Sequence, residues 1–164
     1  MPRKIAVLPG SFDPITNGHL DIIQRSLRIF DQVIVAVARN ASKNGLFTIN
    51  ERVELIRRVL AGNSRASVDT FDGLLVDFVR ARNASAIVRG LRAVSDFEYE
   101  FQSAQVNRSL DQEIETLFMM TSVPYVYLSS SIVKEVASLG GAVDSLVPPL
   151  VKQALVDKFS AQRQ

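Results

Sequence analysis

A length of 164 residues suits a single domain, and a hydrophobic fraction of 47% is enough for a buried core. The 19 lysines and arginines nearly balance the 17 acidic residues, so nothing indicates the concentrated basic face of a nucleic-acid-binding protein. The absence of cysteine excludes disulfides, thiolate metal sites and a cysteine nucleophile. No apolar run approaches the roughly 20 residues that span a bilayer. We therefore expect one cytoplasmic domain over residues 1–164, without membrane or nucleic-acid partners.

The chain begins with an apolar run from Ile5 to Leu8 that is typical of a buried strand. A loop rich in glycine and proline follows and extends to His19. Beyond it, apolar residues recur at helical spacing at Leu20, Ile23, Leu27 and Phe30. This pattern predicts a strand, a tight loop and a helix that begins at His19. Backbone N–H groups and the positive end of the helix dipole meet at such a turn and favour a bound anion, usually a phosphate.

The rest of the chain alternates strands and helices. We predict strands at 33–38, 68–71, 86–89 and 116–120. Two helices are predicted to begin with capping boxes, one at Thr48 with Glu51 and one at Ser95 with Glu98 that extends to about Leu110. Three more are predicted over 74–82, after Ser129–Ser131, and from Pro148 onward. The strand at 33–38 is apolar without alternation, as expected when helices cover both faces of a sheet. The order predicts an α/β fold, a doubly wound parallel sheet with helices on both faces.

The helix predicted from Ser95 carries Phe97, Tyr99 and Phe101. These aromatic residues cannot share one helical face, because residues two apart point about 200° away from each other. We therefore expect this helix to bury two sides, one on the sheet and the other against a neighbouring segment or subunit. This expectation favours an oligomer.

Basic side chains follow several of the predicted strands. His19 follows the first strand, Lys43 the second, and Arg89 and Arg92 stand at and just after the fourth, while Ser129–Ser131 begin a later helix. The carboxyl ends of parallel strands lie at one edge of a sheet, where such folds bind ligands. Together these residues predict a site for an anion with several negative charges.

Each of these residues also has a structural interpretation. His19 and the serines could cap helices, and Lys43 could be a solvated charge. Arg89 is harder to explain in that way, because arginine is seldom buried without an anionic partner. Neither G-x-G-x-x-G nor G-x-x-x-x-G-K-[ST] occurs in the sequence, which disfavours a dehydrogenase and a P-loop ATPase.

Three segments resemble a known family. Residues 16–19, Thr-Asn-Gly-His, match the T/H-x-G-H motif of the nucleotidyltransferase superfamily, and residues 129–134 resemble its serine-rich second signature. Residues 89–100, taken with residues 9–19, are similar to bacterial members of the phosphopantetheine adenylyltransferase family, and the likeness extends from the first strand to about Leu155. Two positions depart from common patterns. Ser11 stands where many relatives have threonine, and Lys134 stands where more distant members have arginine, which leaves the phosphate geometry near Lys134 open.

The resemblance implies a Rossmann-like homohexamer that transfers AMP from ATP to 4′-phosphopantetheine with Mg²⁺ and is inhibited by coenzyme A. The products are dephospho-coenzyme A and pyrophosphate. By the same resemblance, the residues that hold ATP are Ser11, Phe12, His19, Gly90, Leu91, Arg92, Glu100, Tyr125, Val126, Tyr127, Leu128, Ser129, Ser130 and Ser131. The residues that hold the pantetheine substrate are Ser11, Lys43, Leu75 and Arg89.

The expected chemistry is an in-line displacement without a covalent intermediate. A phosphate monoester has a second pKa near 6, so at pH 7 the attacking group is already mostly a dianion and needs no general base. His19, Lys43 and Arg92 are the expected catalytic residues. We expect His19 to donate to the α-phosphate, Lys43 to steady the acceptor phosphate, Arg89 to fix the acceptor, and Arg92 to hold the β- and γ-phosphates. Mg²⁺ is expected on ATP oxygens, because no cluster of protein carboxylates marks a metal site.

Three alternatives stay open at this point. The acceptor could be nicotinate mononucleotide or glycerol 3-phosphate, although residues 89–100 favour pantetheine. The protein could be a nucleotide sensor that binds ATP without turnover, although such a sensor has no need of His19, Lys43 and Arg92 together. A nucleic-acid-binding module is the least favoured of the three.

Overall fold

Five strands form one parallel sheet, the α/β arrangement that the sequence predicts. A computed structural model describes residues 3–40 and 44–162, with the backbone alone at positions 94 and 95. The strands are β1 (Ile5–Gly10), β2 (Gln32–Ala38), β3 (Ala66–Phe71), β4 (Ala86–Leu91) and β5 (Glu115–Met120). Their order across the sheet is β3-β2-β1-β4-β5, and every neighbouring pair is parallel. The strand order reverses between β1 and β4, which makes the crevice at their carboxyl ends the expected ligand site.

The helices are α1 (Asn17–Ser26), α2 (Ile49–Val59), α3 (Leu75–Ala81), α4 (Val94–Leu110), α5 (Ser130–Ser138) and α6 (Pro149–Gln162), with a 3₁₀ turn at Val123–Tyr125. The predicted capping box of Thr48 and Glu51 is confirmed at the start of α2. Across the described ranges, none of these helices combines the length and the apolar character that crossing a bilayer requires.

Two predicted helix starts are wrong. Helix α1 begins at Asn17, and His19 is its third residue, because Thr16 caps the helix and accepts a bond from the backbone N–H of His19. Helix α4 begins at Val94, and its N-cap residue is Ala93, which makes no side-chain capping bond. The N–H of Asp96 bonds to the carbonyl of Ala93, so the first turn closes before the predicted capping box of Ser95 and Glu98 can start the helix.

Successive residues of the central strands enter two separate cores. Ala6 and Leu8 of β1 belong to one core, which also receives apolar side chains from α1, α2, α5 and α6. Val7 belongs to the other core, together with Ile87 of β4 and residues of α3. Because consecutive side chains of a strand point to opposite faces, both faces of the sheet are buried.

The two central strands separate toward their carboxyl ends. β1 pairs with all six of its positions along β2, but with β4 it pairs only at Ala6↔Ala86 and Val7↔Ile87. Pro9 lies beyond the last of these pairs and has no backbone N–H to donate across the gap. The opening between β1 and β4 is therefore built into the pairing of the sheet.

Helix α4 buries less of its aromatic surface than the sequence predicts. Phe97 contacts Phe118 of β5, with ring centroids 6.0 Å apart, so one side of the helix packs on the sheet. Phe97, Tyr99 and Phe101 nevertheless keep 45%, 71% and 46% exposure. Segments of the described chain leave the second side partly exposed, and its predicted burial against a neighbouring subunit stays a prediction.

Candidate active site

A cavity of about 360 Å³ lies at the carboxyl ends of β1 and β4, where the strands separate. The N-terminal ends of α1 and α5 and the first turns of α4 contribute to its walls. The predicted site residues that line it are Ser11, Phe12, His19, Arg89, Gly90, Arg92, Glu100, Tyr125, Leu128, Ser129, Ser130 and Ser131. The fold therefore brings together residues from three separate parts of the sequence, 11–19, 89–100 and 125–131.

His19 is held in one orientation by the start of its own helix. The N–H of Thr16 donates to Nδ1 of His19 at 3.0 Å, and the Thr16 hydroxyl lies 3.1 Å from the same nitrogen. Nδ1 is therefore an acceptor, and the proton of the neutral ring resides on Nε2. Burial, together with the positive charges of Arg92 and Arg89, lowers the pKa of His19 from 6.5 to about 4. At pH 7 the residue is a neutral hydrogen-bond donor.

This geometry predicts the titration of the ring. Because His19 is the single histidine of the sequence, its ring signals can be assigned without a variant. We expect long-range ¹H–¹⁵N spectra between pH 3.5 and 8 to show a pKa of about 4 and the Nε2-protonated tautomer at pH 7. A titration midpoint at pH 6 or above would contradict the lowered pKa that burial, Arg92 and Arg89 give the ring.

The ring of Phe12 packs against the ring of His19. Its backbone has φ of 48°, in the left-handed region that residues with side chains seldom adopt. The ring is 1% exposed, and its centroid lies 4.9 Å from that of His19. Gly10 permits this position, because a Cβ atom there would lie 3.0 Å from Cε2 of Phe12. The loop conformation therefore places an apolar ring in contact with the imidazole.

Two of the three serines at the start of α5 have structural contacts. The hydroxyl of Ser129 accepts a bond from the N–H of Ile132 at 3.2 Å, which confirms the N-cap interpretation. The hydroxyl of Ser130 donates to the carbonyl of Pro14 at 2.7 Å and joins α5 to the loop before α1. The backbone N–H groups at the start of α5 lie at the cavity, where the helix dipole favours an anion.

Both arginines of the cavity are paired with carboxylates of α4. Arg92 lies 3.3 Å from Asp96 and donates to the carbonyl of Leu128 at 3.0 Å. Arg89 donates to both oxygens of Glu100, at 2.7 and 2.6 Å, and to the carbonyl of Pro9 at 3.0 Å. The four charged side chains that the structure describes in this lining therefore sum to zero. The uncompensated positive field that the sequence suggests is absent from the described part of the site.

A second cavity of about 350 Å³ lies against the first. Ser11, Arg89 and Glu100 line both cavities, so the ion pair of Arg89 and Glu100 stands at their boundary. Leu75, predicted to contact the acceptor, lines only the second cavity. The boundary between the cavities therefore holds residues predicted to contact ATP and residues predicted to contact the acceptor, and the assignment of a substrate to each cavity stays a prediction.

The sequence matches a family model described as cytidylyltransferase-like over residues 7–136. A phosphopantetheine adenylyltransferase of Geobacter metallireducens is 73% identical over 163 residues, which cover 99% of this chain and 100% of the relative. The corresponding protein of Geobacter sulfurreducens is 74% identical over 160 residues, with 98% of both chains covered. The chain belongs to the phosphopantetheine adenylyltransferase family. The resemblance deduced from the three sequence segments is thereby confirmed.

A solved structure agrees on the fold. It is that of a candidate nicotinate-nucleotide adenylyltransferase from Vibrio parahaemolyticus, with a TM-score of 0.71 and 20% sequence identity. The match covers 95% of this chain and 93% of the other. At this identity the likeness supports the Rossmann-like architecture alone, and the family assignment rests on the sequence relatives.

The structure does not place some of the residues assigned from the family pattern at the first cavity. Lys43 is outside the described residues, so its assignment stays a prediction. Leu91, Val126 and Tyr127 do not line the cavity. The carbonyl of Leu91 accepts bonds from the N–H and the hydroxyl of Thr121, and the Tyr127 side chain is 92% exposed. Their contact with the nucleotide also stays a prediction.

The structure shows a buried ionic cluster that the sequence analysis missed. Asp13 accepts bonds from the N–H groups of Leu46 and Phe47 at 3.0 and 2.9 Å. Its carboxylate also lies 3.4 Å from Nε of Arg52 and 2.9 Å from Nζ of Lys134. Lys134, near which the sequence left the phosphate geometry open, binds the carboxylate of Asp13 and is not among the residues that line the first cavity.

Arg52 connects this cluster to the site. The side chain is 2% exposed and donates to the carbonyls of Phe47 and Ser11, at 2.9 and 3.2 Å. Gly45 makes room for it, because a Cβ atom at that position would lie 1.8 Å from Nη2 of Arg52. A signal was present in the sequence, since Arg52, Leu55 and Ile56 share the buried face of α2. An arginine on such a face indicates a buried anionic partner.

The described residues offer few ligands for a metal ion. Among them, no three histidine, aspartate or glutamate side chains lie close enough together to form a metal site. Asp96 and Glu100, the carboxylates at the cavity, are each engaged by an arginine. The chemistry of these donors fits Mg²⁺ that is carried by a nucleotide better than Mg²⁺ held by a protein cage.

Proposed function

We propose that this protein transfers AMP from ATP to 4′-phosphopantetheine and releases pyrophosphate and dephospho-coenzyme A. The observation that carries the proposal is the adjoining pair of cavities at the carboxyl ends of β1 and β4, with His19 in the first and Arg89 between them. Relatives at 63–74% identity that carry the phosphopantetheine adenylyltransferase name support this choice of acceptor.

The nucleotide occupies the first cavity in this proposal. The starts of α1 and α5 direct the positive ends of their dipoles to the phosphates, and the N–H groups of Gly18, Ser130 and Ser131 are the proposed backbone donors. Nε2–H of His19 donates to an α-phosphate oxygen, and the bond strengthens as negative charge grows there in the transition state. Arg92 is assigned to the β- and γ-phosphates. Its contact with the carbonyl of Leu128 keeps it beside α5.

The acceptor occupies the second cavity, with its phosphate at the boundary. Arg89 reaches this boundary from β4, and Ser11 reaches it from the loop after β1. Leu75 and Phe71 supply apolar surface on the far side for the pantetheine arm. Lys43 is proposed to steady the acceptor phosphate, by its family pattern alone. The arrangement brings two anions into line, which is the main requirement of a displacement that needs no general base.

Mg²⁺ is proposed to enter with ATP. When bound to the phosphate oxygens, it supplies positive charge that offsets the charge of the pyrophosphate leaving group. The chain contributes the opening that admits the complex and the donors that orient the phosphates. Asp96 and Glu100 are the carboxylates in the described lining of this cavity.

The family pattern also supports a homohexamer and feedback inhibition by coenzyme A, and the cytoplasmic location expected from the sequence is part of the same proposal. The half-exposed aromatic side of α4 is consistent with a subunit contact, because Phe97, Tyr99 and Phe101 expose a large apolar area together. Coenzyme A contains the pantetheine arm, so it can compete for the second cavity. Sedimentation that showed only a species of 18.1 kDa would contradict the hexamer.

The reaction is tested by pyrophosphate release from the purified protein with ATP and Mg²⁺. Separate samples receive 4′-phosphopantetheine, nicotinate mononucleotide or glycerol 3-phosphate. We expect release with phosphopantetheine alone. Release with another acceptor would keep the chemistry and discard the proposed substrate, while ATP binding without release in any sample would indicate a nucleotide sensor.

A further inference from the structure

The pairing of Arg89 with Glu100 joins two elements at the boundary between the cavities. Arg89 belongs to β4 and Glu100 to the second turn of α4, and both residues line both cavities. Glu100 has 12% side-chain exposure against 30% for Arg89, so the carboxylate is the more enclosed partner. An anion that reaches Arg89 from either cavity therefore meets Glu100 at the same place.

The geometry leaves Arg89 only partly engaged. Nε and Nη2 donate to the two carboxylate oxygens of Glu100, and Nη1 donates to the carbonyl of Pro9. A guanidinium has five N–H groups, so one N–H on each terminal nitrogen is left over by these described contacts. Those two N–H groups can hold a phosphate oxygen while Glu100 keeps its own bonds. Glu100 thus fixes the plane of the guanidinium and also compensates its charge.

The charge on the acceptor phosphate changes during the proposed reaction. An oxygen of the dianionic monoester forms a bond to the α-phosphorus of ATP, and the bond from that phosphorus to the bridging oxygen of the β-phosphate breaks. Pyrophosphate leaves with the electron pair, and no proton is transferred. The acceptor phosphate, a dianion before attack, becomes one singly charged half of a phosphoanhydride. A positive charge beside it therefore stabilises the ground state more than the product.

We propose that Glu100 is a positioning residue that keeps the acceptor phosphate reactive by neutralising Arg89. An uncompensated guanidinium would bind the dianion more tightly and make it a weaker nucleophile. With Glu100 in place, Arg89 orients the phosphate without adding a full positive charge. This inference rests on the proposed position of the acceptor phosphate at Arg89, and it assigns Glu100 to the acceptor side, in place of the role in ATP binding that the family pattern gives it.

The test is Glu100→Gln, which keeps the shape of the side chain and removes its charge. We expect the Kd for 4′-phosphopantetheine, measured by calorimetry without ATP, to fall about tenfold, and kcat to fall about tenfold, with the KM for ATP nearly unchanged. If Glu100 only oriented Arg89, its replacement would raise the Kd for 4′-phosphopantetheine. A raised Kd would therefore overturn the proposed role of Glu100 but keep the acceptor phosphate at Arg89.

A change confined to the KM for ATP would instead overturn the acceptor position itself. The matched control is Glu115→Gln, which removes another ion pair between α4 and the sheet, with Arg108, outside both cavities. We expect it to leave Kd and kcat unchanged. If both variants gave the same shifts, the effect would belong to α4 in general and the inference would fail.

If Glu100→Gln does not fold, Lys43→Gln gives a second test, because it removes the proposed charge of Lys43 from the acceptor phosphate and keeps Arg89 and Glu100. Its Kd for 4′-phosphopantetheine is compared with that for the monomethyl ester of the same phosphate, which carries one negative charge. Because Glu100 compensates Arg89, we expect the two values to agree within about threefold. A preference of more than about tenfold for the dianion would show an uncompensated guanidinium and overturn the inference.

Discussion

Replacement of His19 by alanine is expected to lower kcat by about 10²-fold or more, the usual effect of losing one preorganised donor in an active site. The KM for ATP should change little, because the donor acts mainly on charge that develops in the transition state. Pyrophosphate release at saturating substrates measures the effect. The expectation depends on the neutral ring, whose Nδ1 is occupied by the N–H of Thr16 and whose Nε2 carries the proton.

His19→Asn separates catalysis from helix capping. Its amide oxygen lies near the position of Nδ1 and can still accept from the N–H of Thr16, but it has no donor at the position of Nε2. We expect His19→Asn to keep more thermal stability than His19→Ala and to lose as much turnover. Near-normal kcat in the asparagine variant would show that Nε2 is not the catalytic donor and that His19 serves α1 alone.

Asp13→Asn is expected to cause the largest loss of stability, about 3–5 kcal/mol, which is typical when one partner of a buried ion pair is removed. Arg52 is 2% exposed, and without the carboxylate its charge stays buried without a counterion. Urea unfolding at a fixed protomer concentration measures the change. The variant should also lose activity, since Asp13 anchors Leu46 and Phe47, which follow Lys43 closely in the chain.

Asp144→Asn is the control for this experiment. Asp144 also pairs with a lysine, Lys152, but both side chains are largely exposed, so we expect no measurable change in the free energy of unfolding. Equal losses of unfolding free energy in Asp13→Asn and Asp144→Asn would show that burial of the Asp13 ion pair does not determine its contribution to stability.

Acid provides a second test of Asp13. Burial raises the pKa of this carboxyl, but the bonds from Phe47, Lys134 and Leu46 and the charge of Arg52 outweigh burial, and the pKa lies below its ordinary 3.8. A carboxyl with a lowered pKa stabilises the fold above its ordinary pKa, and this contribution is lost as the pH falls through the folded value. Below pH 4, the wild-type protein should therefore lose stability more steeply than Asp13→Asn.

The pairing of the site arginines changes the expected origin of catalysis. Arg89 and Arg92 each face a carboxylate of α4, so the described side chains alone supply no net positive charge to the phosphates. The N–H groups of Asn17, His19 and Ile132 bond within the chain. The N–H groups of Gly18, Ser130 and Ser131, which line the cavity, and the donor on His19 are the preorganised groups left for the phosphates. Such dipoles stabilise developing charge without holding the reacting dianion too tightly.

The sequence by itself determined the features that depend on neighbours in the chain. Apolar runs predicted all five strands of the parallel sheet. Thr48 with Glu51 predicted the start of α2. Both signals are local, because they involve residues a few positions apart. The T-x-G-H motif and the order of the three segments identified the family for the same reason. The boundaries of α1 and α4 were missed by one or two residues, since hydrogen bonds at Thr16 and Ala93 set them.

Only the tertiary structure decided which charged groups meet. Arg52 and Ser11 are 41 positions apart, and Lys134 and Asp13 are 121 apart, so no local pattern relates them. The separation of β1 from β4 sets the cavity, and the approach of α4 to that opening decides that Arg89 faces Glu100. A sequence shows that a side chain is ionisable, but its partner depends on how separate elements pack. That packing paired the two arginines of the predicted cluster with carboxylates, so the charges of the described lining balance.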